Sequence, residues 1–497
     1  MANQLFATKS HETLMAELRD DSRLKRVLGP VQLTSLGVGA IIGTGIFVLV
    51  GVAAHDCTGP ALMLSFVVAG LTCVFAALCY AEFASMVPVA GSAYTYAYAT
   101  LGELFAWIIG WDLILEYAVA SSTVAHGWSH YFQDFITFFN LHVPQHYANA
   151  PFDYDPVSGK LALTGTWFDL PAVVIVLLIT LILVKGISES ASFNAGIVIL
   201  KVAIVFLVII VGARYVNPAN WKPFAPFGMA GFAFFGHTLI GQTGPTGSPL
   251  GMLAGAAIVF FAYIGFDSIS THAEEAKNPS RDVPIGIMTS LVLCTVLYIA
   301  MAAVLTGMVP YNKINIDAPV SEAFRQVGLP WAQFLVSIGA IAGITSVLLV
   351  MMLSQARIFL AMARDGLLPP KFFAAVHEKF RTPWKSTILT GTCVAIMAAL
   401  LPLRILAELV NIGTLLAFVI VCAAVMIMRR THPDLHRPFR APFGPIVPVL
   451  GILCCLMLMF SLPAANWVRL AVWLVIGLII YFSYSRKHSH LRNSRPR

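Results

Sequence analysis

Twelve apolar stretches divide this chain, falling near 31–54, 60–85, 92–126, 170–186, 192–215, 253–272, 284–309, 331–362, 386–403, 406–428, 444–463 and 467–485. A hydrocarbon core of roughly 30 Å is crossed by a helix of roughly 20 residues, so each stretch is a candidate membrane span. The chain of 497 residues is 58% hydrophobic and 11% charged, less than half the charged share of about 25% in soluble domains. That leaves too few charges for a water-facing exterior, and a bilayer removes the need for one. The predicted fold is an all-α membrane protein with twelve transmembrane helices. The third and eighth stretches exceed a straight crossing, which predicts tilt or extension beyond the membrane.

Basic residues give the topology. With the N-terminus in the cytoplasm, 22 of the 31 Lys and Arg residues fall on the cytoplasmic side and 7 on the other, while Lys201 and Arg357 lie within spans. This bias follows the positive-inside rule and predicts a multi-pass protein of the cell (inner) membrane with both termini cytoplasmic. The net charge of +7 is then a matter of orientation, and no basic run interleaved with aromatics suggests a nucleic-acid partner. The predicted layout is a cytoplasmic segment 1–30, a membrane domain 31–485 and a cytoplasmic tail 486–497. The first thirty or so residues are polar, so no cleavable signal is evident and the first span is expected to target the chain. The eight cysteines read as small packing residues in lipid-embedded helices, without CxxC pairing to nearby His ligands. The loop 127–169, with YDPVSGK at 154–160, holds His130, His142 and His146, readable as a metal cluster or as solvated loop histidines. The stretch 216–252, rich in Gly and Pro, is predicted to connect spans outside and to carry a short surface helix.

Two spans hold residues that suit a continuous helix poorly. GVGAIIGTGIF at 37–47 carries Gly37, Gly39, Gly43 and Gly45, each costing about 1 kcal/mol relative to Ala in a helix interior. Close helix packing is one reading; an unwound patch is the other. VFFAYIGFDSISTHAEE at 259–275 sets Gly265 before the carboxylate of Asp267. The two spans are the first and sixth, and interruptions at corresponding positions of two halves point to a transporter built from inverted repeats. Half-helix N-termini favour a carboxylate and freed carbonyls accept from an ammonium, which together make a receptor for a zwitterion.

Charged residues at a helix centre cost roughly 2.5–3.5 kcal/mol each on insertion scales, so each calls for a reason. Lys201 sits within GIVILKVAIVFLVII; it is either a structural pair or an amine that takes up and releases a proton during transport. Glu116 follows Asp112 by four residues on one helical face. It reads as a carboxylate paired within the bundle, for example with Lys201, or as a negative wall for a cationic side chain. Asp267 carries the same two readings. Glu82, Arg357, Arg364 and Asp365 lie near inner span ends and are candidate gate residues or structural anchors.

Further blocks, YAEFASMVPVAGSAYTYAY, GWDLILEY, FFAYIGFDSISTHAEEAKNP, RDVPIGI, ARDGLLP and HPDLHRPFRAPF, occur in order with GVGAIIGTGIF. Together they resemble the amino acid–polyamine–organocation (APC) superfamily, and within it the bacterial members of the cationic amino acid transporter family, over about residues 26–487. The resemblance implies the LeuT-like 5+5 inverted repeat, here about 31–215 and 253–428, with two additional C-terminal helices at about 444–485. It implies a substrate carboxylate held by amides of Gly43, Thr44 and Gly45. The amino group would then lie on carbonyls around Ile41, Phe261, Ala262 and Ile264. Glu116 and Asp267 match acidic positions at the pocket. Lys201 matches a lysine that replaces a sodium ion between helices 1 and 8, although Thr345 and Ser346 are hydroxyls a sodium site could also use. The implied activity is secondary active transport of cationic and neutral L-amino acids by alternating access, with no cofactor and a proton as coupling ion. Membrane lipid surrounds such a carrier, and a small single-span membrane subunit is a compatible partner. Vertebrate cationic members carry more spans than the twelve seen here, and bacterial relatives also accept neutral amino acids.

A membrane enzyme is the competing class, but HExxH, GxSxG and phosphate-binding Gly-loop motifs are missing from the sequence. A channel or a receptor is the third.

Overall fold

The computed structural model describes residues 7–9, 28–86, 92–154, 161–186, 191–235, 237–244 and 248–493. The central residues of the YDPVSGK loop, and most of the cytoplasmic N-terminal segment, lie outside the described residues. Each apolar stretch carries helix. The principal helices are α1 (Pro30–Ile41), α2 (Leu62–Met86), α3 (Glu103–Thr137), α4 (Leu170–Lys185), α5 (Ala191–Gly212) and α6 (Met252–Val259). They continue with α7 (Pro279–Met308), α8 (Pro330–Arg364), α9 (Trp384–Leu400), α10 (Leu403–Thr431), α11 (Ile446–Phe460) and α12 (Ala464–Ile480). Among the described residues, eight helical stretches are long and apolar enough to cross a membrane; α1, α4, α9 and α11 are shorter apolar helices. Along α4, Leu177, Leu178 and Leu181 point outward, and along α12 Val468, Val472 and Ile479 do the same. Helices of a water-soluble bundle carry charge on such faces, so this is an integral membrane protein.

Helix ends follow local chemistry. Pro171, Pro279 and Pro330 stand in the first turns of α4, α7 and α8, where a missing N–H costs nothing. Asp169 caps α4 by accepting from the Ala172 amide at 3.1 Å. The expected third span is two helices, Ser92–Thr100 and α3, because the chain turns at Gly102 with φ +98°. α3 then runs on to Thr137, so His126 and His130 are helical. The surface helix expected in 216–252 is only the single turn Pro218–Trp221. Parts of that region form short antiparallel pairs, β3 (Phe232–Phe234) with β4 (His237–Ile240) and β5 (Gln242–Thr243) with β6 (Pro249–Leu250). A third pair, β1 (Phe152–Tyr154) with β2 (Leu161–Leu163), flanks the YDPVSGK loop. The loops therefore depart from an all-α fold, since Gly and Pro end helices but tolerate short hairpins.

Packing is reciprocal between the two halves. α3 lies on α8, α2 on α7 and α4 on α9. α1 packs against α7 just as α6 packs against α2, and α3 packs against α10 as α8 does against α5. At the terminal face, which carries both described chain ends, Leu28 bridges the segment after α6: its amide donates to Glu275 at 3.0 Å, and the Lys277 amide donates back at 2.8 Å.

Gly265 has φ +115°, and a Cβ there would press on the Ala40 carbonyl oxygen at 2.9 Å. Gly265→Ala is expected to destabilise by about 1–3 kcal/mol, read as a lower melting temperature in detergent. Gly196→Ala on α5, where a side chain would meet open space, should not lower it.

Candidate substrate site

Two interrupted helices meet at the centre of the bundle. α1 stops at Ile41, Ile42 is extended (ψ 104°), and helix restarts as a π-helical turn, Gly45–Leu49. α6 tightens into the 3-10 segment Phe260–Tyr263, after which Ile264 is extended (ψ 134°) and Gly265 reverses the chain. The sequence left packing glycines and unwinding as alternatives for the first span; both occur. Gly45 is the closest approach, since a Cβ there would overlap the Ala262 backbone. Ile41, Gly43, Thr44, Gly45, Phe261 and Ile264 line a cavity of about 10 Å³, closed by Val124, Val347 and Met351. That volume holds about one water-sized sphere, so the walls must part before a substrate can enter.

The backbone groups of the breaks are unequally satisfied. Among the described residues, no acceptor is seen for the Gly43 or Thr44 amides, and the Thr44 hydroxyl is buried without a partner. These are the donors expected for a carboxylate. Of the four carbonyls expected for the amino group, those of Ile41, Ala262 and Phe261 are engaged already. Tyr298 of α7 stands with its hydroxyl 2.9 Å from the Ile41 oxygen and 3.0 Å from that of Ala262. The Phe261 oxygen accepts from the Ile264 amide at 3.1 Å. Sequence reading missed Tyr298, although a tyrosine in the middle of a span must find a partner for its hydroxyl.

Lys201 is fully buried, and its ammonium donates to Gly39 at 2.6 Å and Ile42 at 3.1 Å. Its stem lies against Gly343 of α8, so it fills the gap between α1 and α8. It does not pair with Glu116, correcting that reading: the carbonyls freed where α1 unwinds are the nearer acceptors. Thr345 and Ser346 turn to their own helix, donating to Ile341 at 2.7 Å and Gly343 at 3.1 Å.

Glu116 and Asp267 do not line the cavity. Glu116 precedes Val124 by eight residues on α3, which sets it about 12 Å nearer the terminal face. There Glu116 lies within electrostatic range of both Asp112 and Asp267, and the three form an acidic layer. The Tyr117 hydroxyl donates to Asp267 at 3.2 Å. Glu116 lies beside Thr414, but that hydroxyl donates to Val410 at 3.1 Å, leaving both Glu116 oxygens without a bond of ordinary geometry. Among the described residues, Asp112 is likewise without a hydrogen-bond partner.

The model of the amino acid permease family matches residues 28–483, enclosing both breaks, Lys201 and the acidic layer. The chain belongs to this family, in the APC superfamily. Two Bacillus subtilis proteins are similar to this permease along nearly their whole lengths. A methylthioribose transporter is 48% identical over 98% of this chain and 99% of its own. A branched-chain amino acid permease is 49% identical over 99% of this chain and 100% of its own. A vacuolar cationic amino acid transporter of Arabidopsis thaliana is 38% identical over 83% of this chain and 64% of its own.

The expected gate residues of the permease fall into separate contacts. Glu82 is fully buried and takes a two-pronged pair from Arg429, with Arg437 at 3.6 Å and the Ala441 amide at 2.8 Å. It thus ties α2 to the end of α10 and the loop that follows, rather than to α8. Asp365 accepts from Lys9 and from the Tyr94 hydroxyl, each at 2.6 Å, so the described residues 7–9 reach the end of α8. Arg357 faces Glu275 beyond α6, where burial raises the carboxyl pKa and the Arg357 charge opposes the rise. Arg364 is exposed, and no ion pair from it is seen among the described residues. His130 meets Asn149 at 3.0 Å and Asp317 at 3.3 Å, while His146 stacks on Trp167. These two histidines do not converge.

Glu82→Gln leaves buried guanidinium charge short of its partner, a loss of about 3–5 kcal/mol; denaturation should show it, and Glu82→Gln with Arg429→Gln should cost less than the sum. Tyr298→Phe strips the donor from two buried carbonyls and should cost about 1–3 kcal/mol in the same measurement.

Proposed function

We propose that this permease is a secondary active, proton-coupled carrier of L-amino acids that works by alternating access. In this reading twelve helices span the inner membrane, the first ten form a LeuT-like 5+5 inverted repeat, and the terminal face is cytoplasmic. The reciprocal packing of α1–α5 and α6–α10 supports the repeat. The observation that carries the function is the meeting of two broken helices, one offering unpaired amides and both offering carbonyls to a small central cavity. That arrangement suits the carboxylate and ammonium of a free amino acid. Tyr298 holds the carbonyls while the site is empty, and the substrate ammonium displaces its hydroxyl. Lys201, braced between α1 and α8 with its ammonium on the Gly39 and Ile42 carbonyls, carries the proton whose loss loosens α1.

Substrate choice follows from the walls. Val124, Val347 and Met351 are apolar, which favours an uncharged aliphatic side chain over a cationic one. The cationic reading rests on Glu116 and Asp267, one layer removed, and needs the cavity to open toward them. The relatives named for a branched-chain amino acid and for methylthioribose are more similar to this chain than the relative named for cationic amino acids.

Proteoliposomes loaded with unlabelled leucine should take up labelled leucine by counterflow, which neither a receptor nor an enzyme produces, and saturably, unlike a channel. Valine and isoleucine should compete and arginine should not; the reverse order would transfer the assignment to cationic substrates. Lys201→Ala should abolish stimulation by an inward proton gradient, and full stimulation in that variant would remove the residue from coupling. Glu116→Gln should leave leucine affinity within about twofold if the acidic layer is off the empty site, a difference of about 0.4 kcal/mol.

A further inference from the structure

From Pro223 to Met252 the chain holds no Asp, Glu, Lys or Arg. At its centre β3 and β4 form a hairpin on the face opposite the chain ends. Phe234 and Phe235 turn onto Phe460 at the end of α11, with ring centres 4.8 and 5.2 Å apart, and Phe235 reaches Trp467 at the start of α12 at 4.6 Å. The next strand leaves Leu239 63% and Ile240 62% exposed. A hairpin edge that faces water is normally blunted with charge or proline. Here neither is present, and two large aliphatic side chains in water would forfeit the free energy of burial.

The flank beside the hairpin identifies the occupant. Val468 and Val472, following Trp467 on α12, face outward from a spanning helix, so the apolar surface is continuous with a lipid-facing one. Trp467 in this cluster stands at a helix end, where tryptophan marks the level at which acyl chains meet headgroups. We infer that the β3–β4 hairpin lies in the membrane interface, with Leu239 and Ile240 in contact with the acyl chains of that leaflet. The uncharged run explains why the segment suits lipid. The segment that carries it is also stitched to the end of the first span: the Ala61 amide donates to Phe224 at 2.8 Å, and the Gly251 amide donates to Cys57 at 2.9 Å. The hairpin therefore anchors the far end of the broken first span to the bilayer. This inference stands whatever the substrate is.

The test is nitroxide labelling of full-length Leu239→Cys and Ile240→Cys in a Cys393→Ser, Cys454→Ser background, reconstituted into phosphatidylcholine–phosphatidylglycerol vesicles. Lys313→Cys, exposed beyond α7, serves as the water-facing control. Power saturation should show collisions with oxygen exceeding those with a water-soluble nickel chelate at 239 and 240, and the opposite order at 313. Chelate-dominated collisions at 239 and 240 would overturn the inference. So would weak collisions with both reagents, which would mean that protein, such as a second copy of the chain, covers the hairpin.

Discussion

The Tyr298 hydroxyl stands between the Ile41 and Ala262 carbonyls, and the Lys201 ammonium between those of Gly39 and Ile42. These contacts make the interrupted helices tenable. Hydrocarbon offers no water to a freed peptide group, so every carbonyl released by unwinding must find a donor within the bundle. The donors come from α7 and α5, so α1 cannot unwind without those helices in place. The tight cavity, the approach of Gly45 to Ala262 and the reversal at Gly265 all depend on this arrangement.

The same economy of partners separates two kinds of buried charge. Glu82 and Asp365 are structural in the described conformation: each is closed by basic side chains or hydroxyls, and each joins segments distant in sequence. Asp112 and Glu116 have no such closure among the described residues. A buried carboxyl group without a cation sits in this layer at a cost, and intramembrane carboxyls of that kind mark pathways for ions and substrates. The layer lies between the central cavity and the terminal face, along the line a released ligand or proton would follow in the proposed cycle.

Much of this was legible from residue order. The helix stretches follow from apolar length, and the two breaks from Gly37–Gly45 and Gly265 within otherwise apolar runs. The split at Gly102 was not foreseen, because one glycine in a long apolar run is compatible with a continuous helix until its φ is known. In 216–252 the connection and a short helical turn at Pro218–Trp221 are as expected, but the hairpins are not, since Gly and Pro announce a loop without specifying its pairing. Glu116 was read as a possible partner of Lys201; spacing along two helices says nothing about depth, and depth separates the acidic layer from the cavity.

What this sequence determined by itself was membrane insertion, the succession of helices, the places where they fail and the presence of polar groups that hydrocarbon will not leave unpaired. These are properties of short windows, governed by transfer free energy and backbone geometry. Only the tertiary structure decided which partner each polar group takes. Tyr298 reaches both breaks, Lys201 prefers carbonyls to Glu116, and Glu82 turns to Arg429 rather than to α8. Such choices depend on side chains from helices far apart in sequence meeting at a common depth, and short-range hydrogen bonds and ion pairs then select among them within a few ångströms.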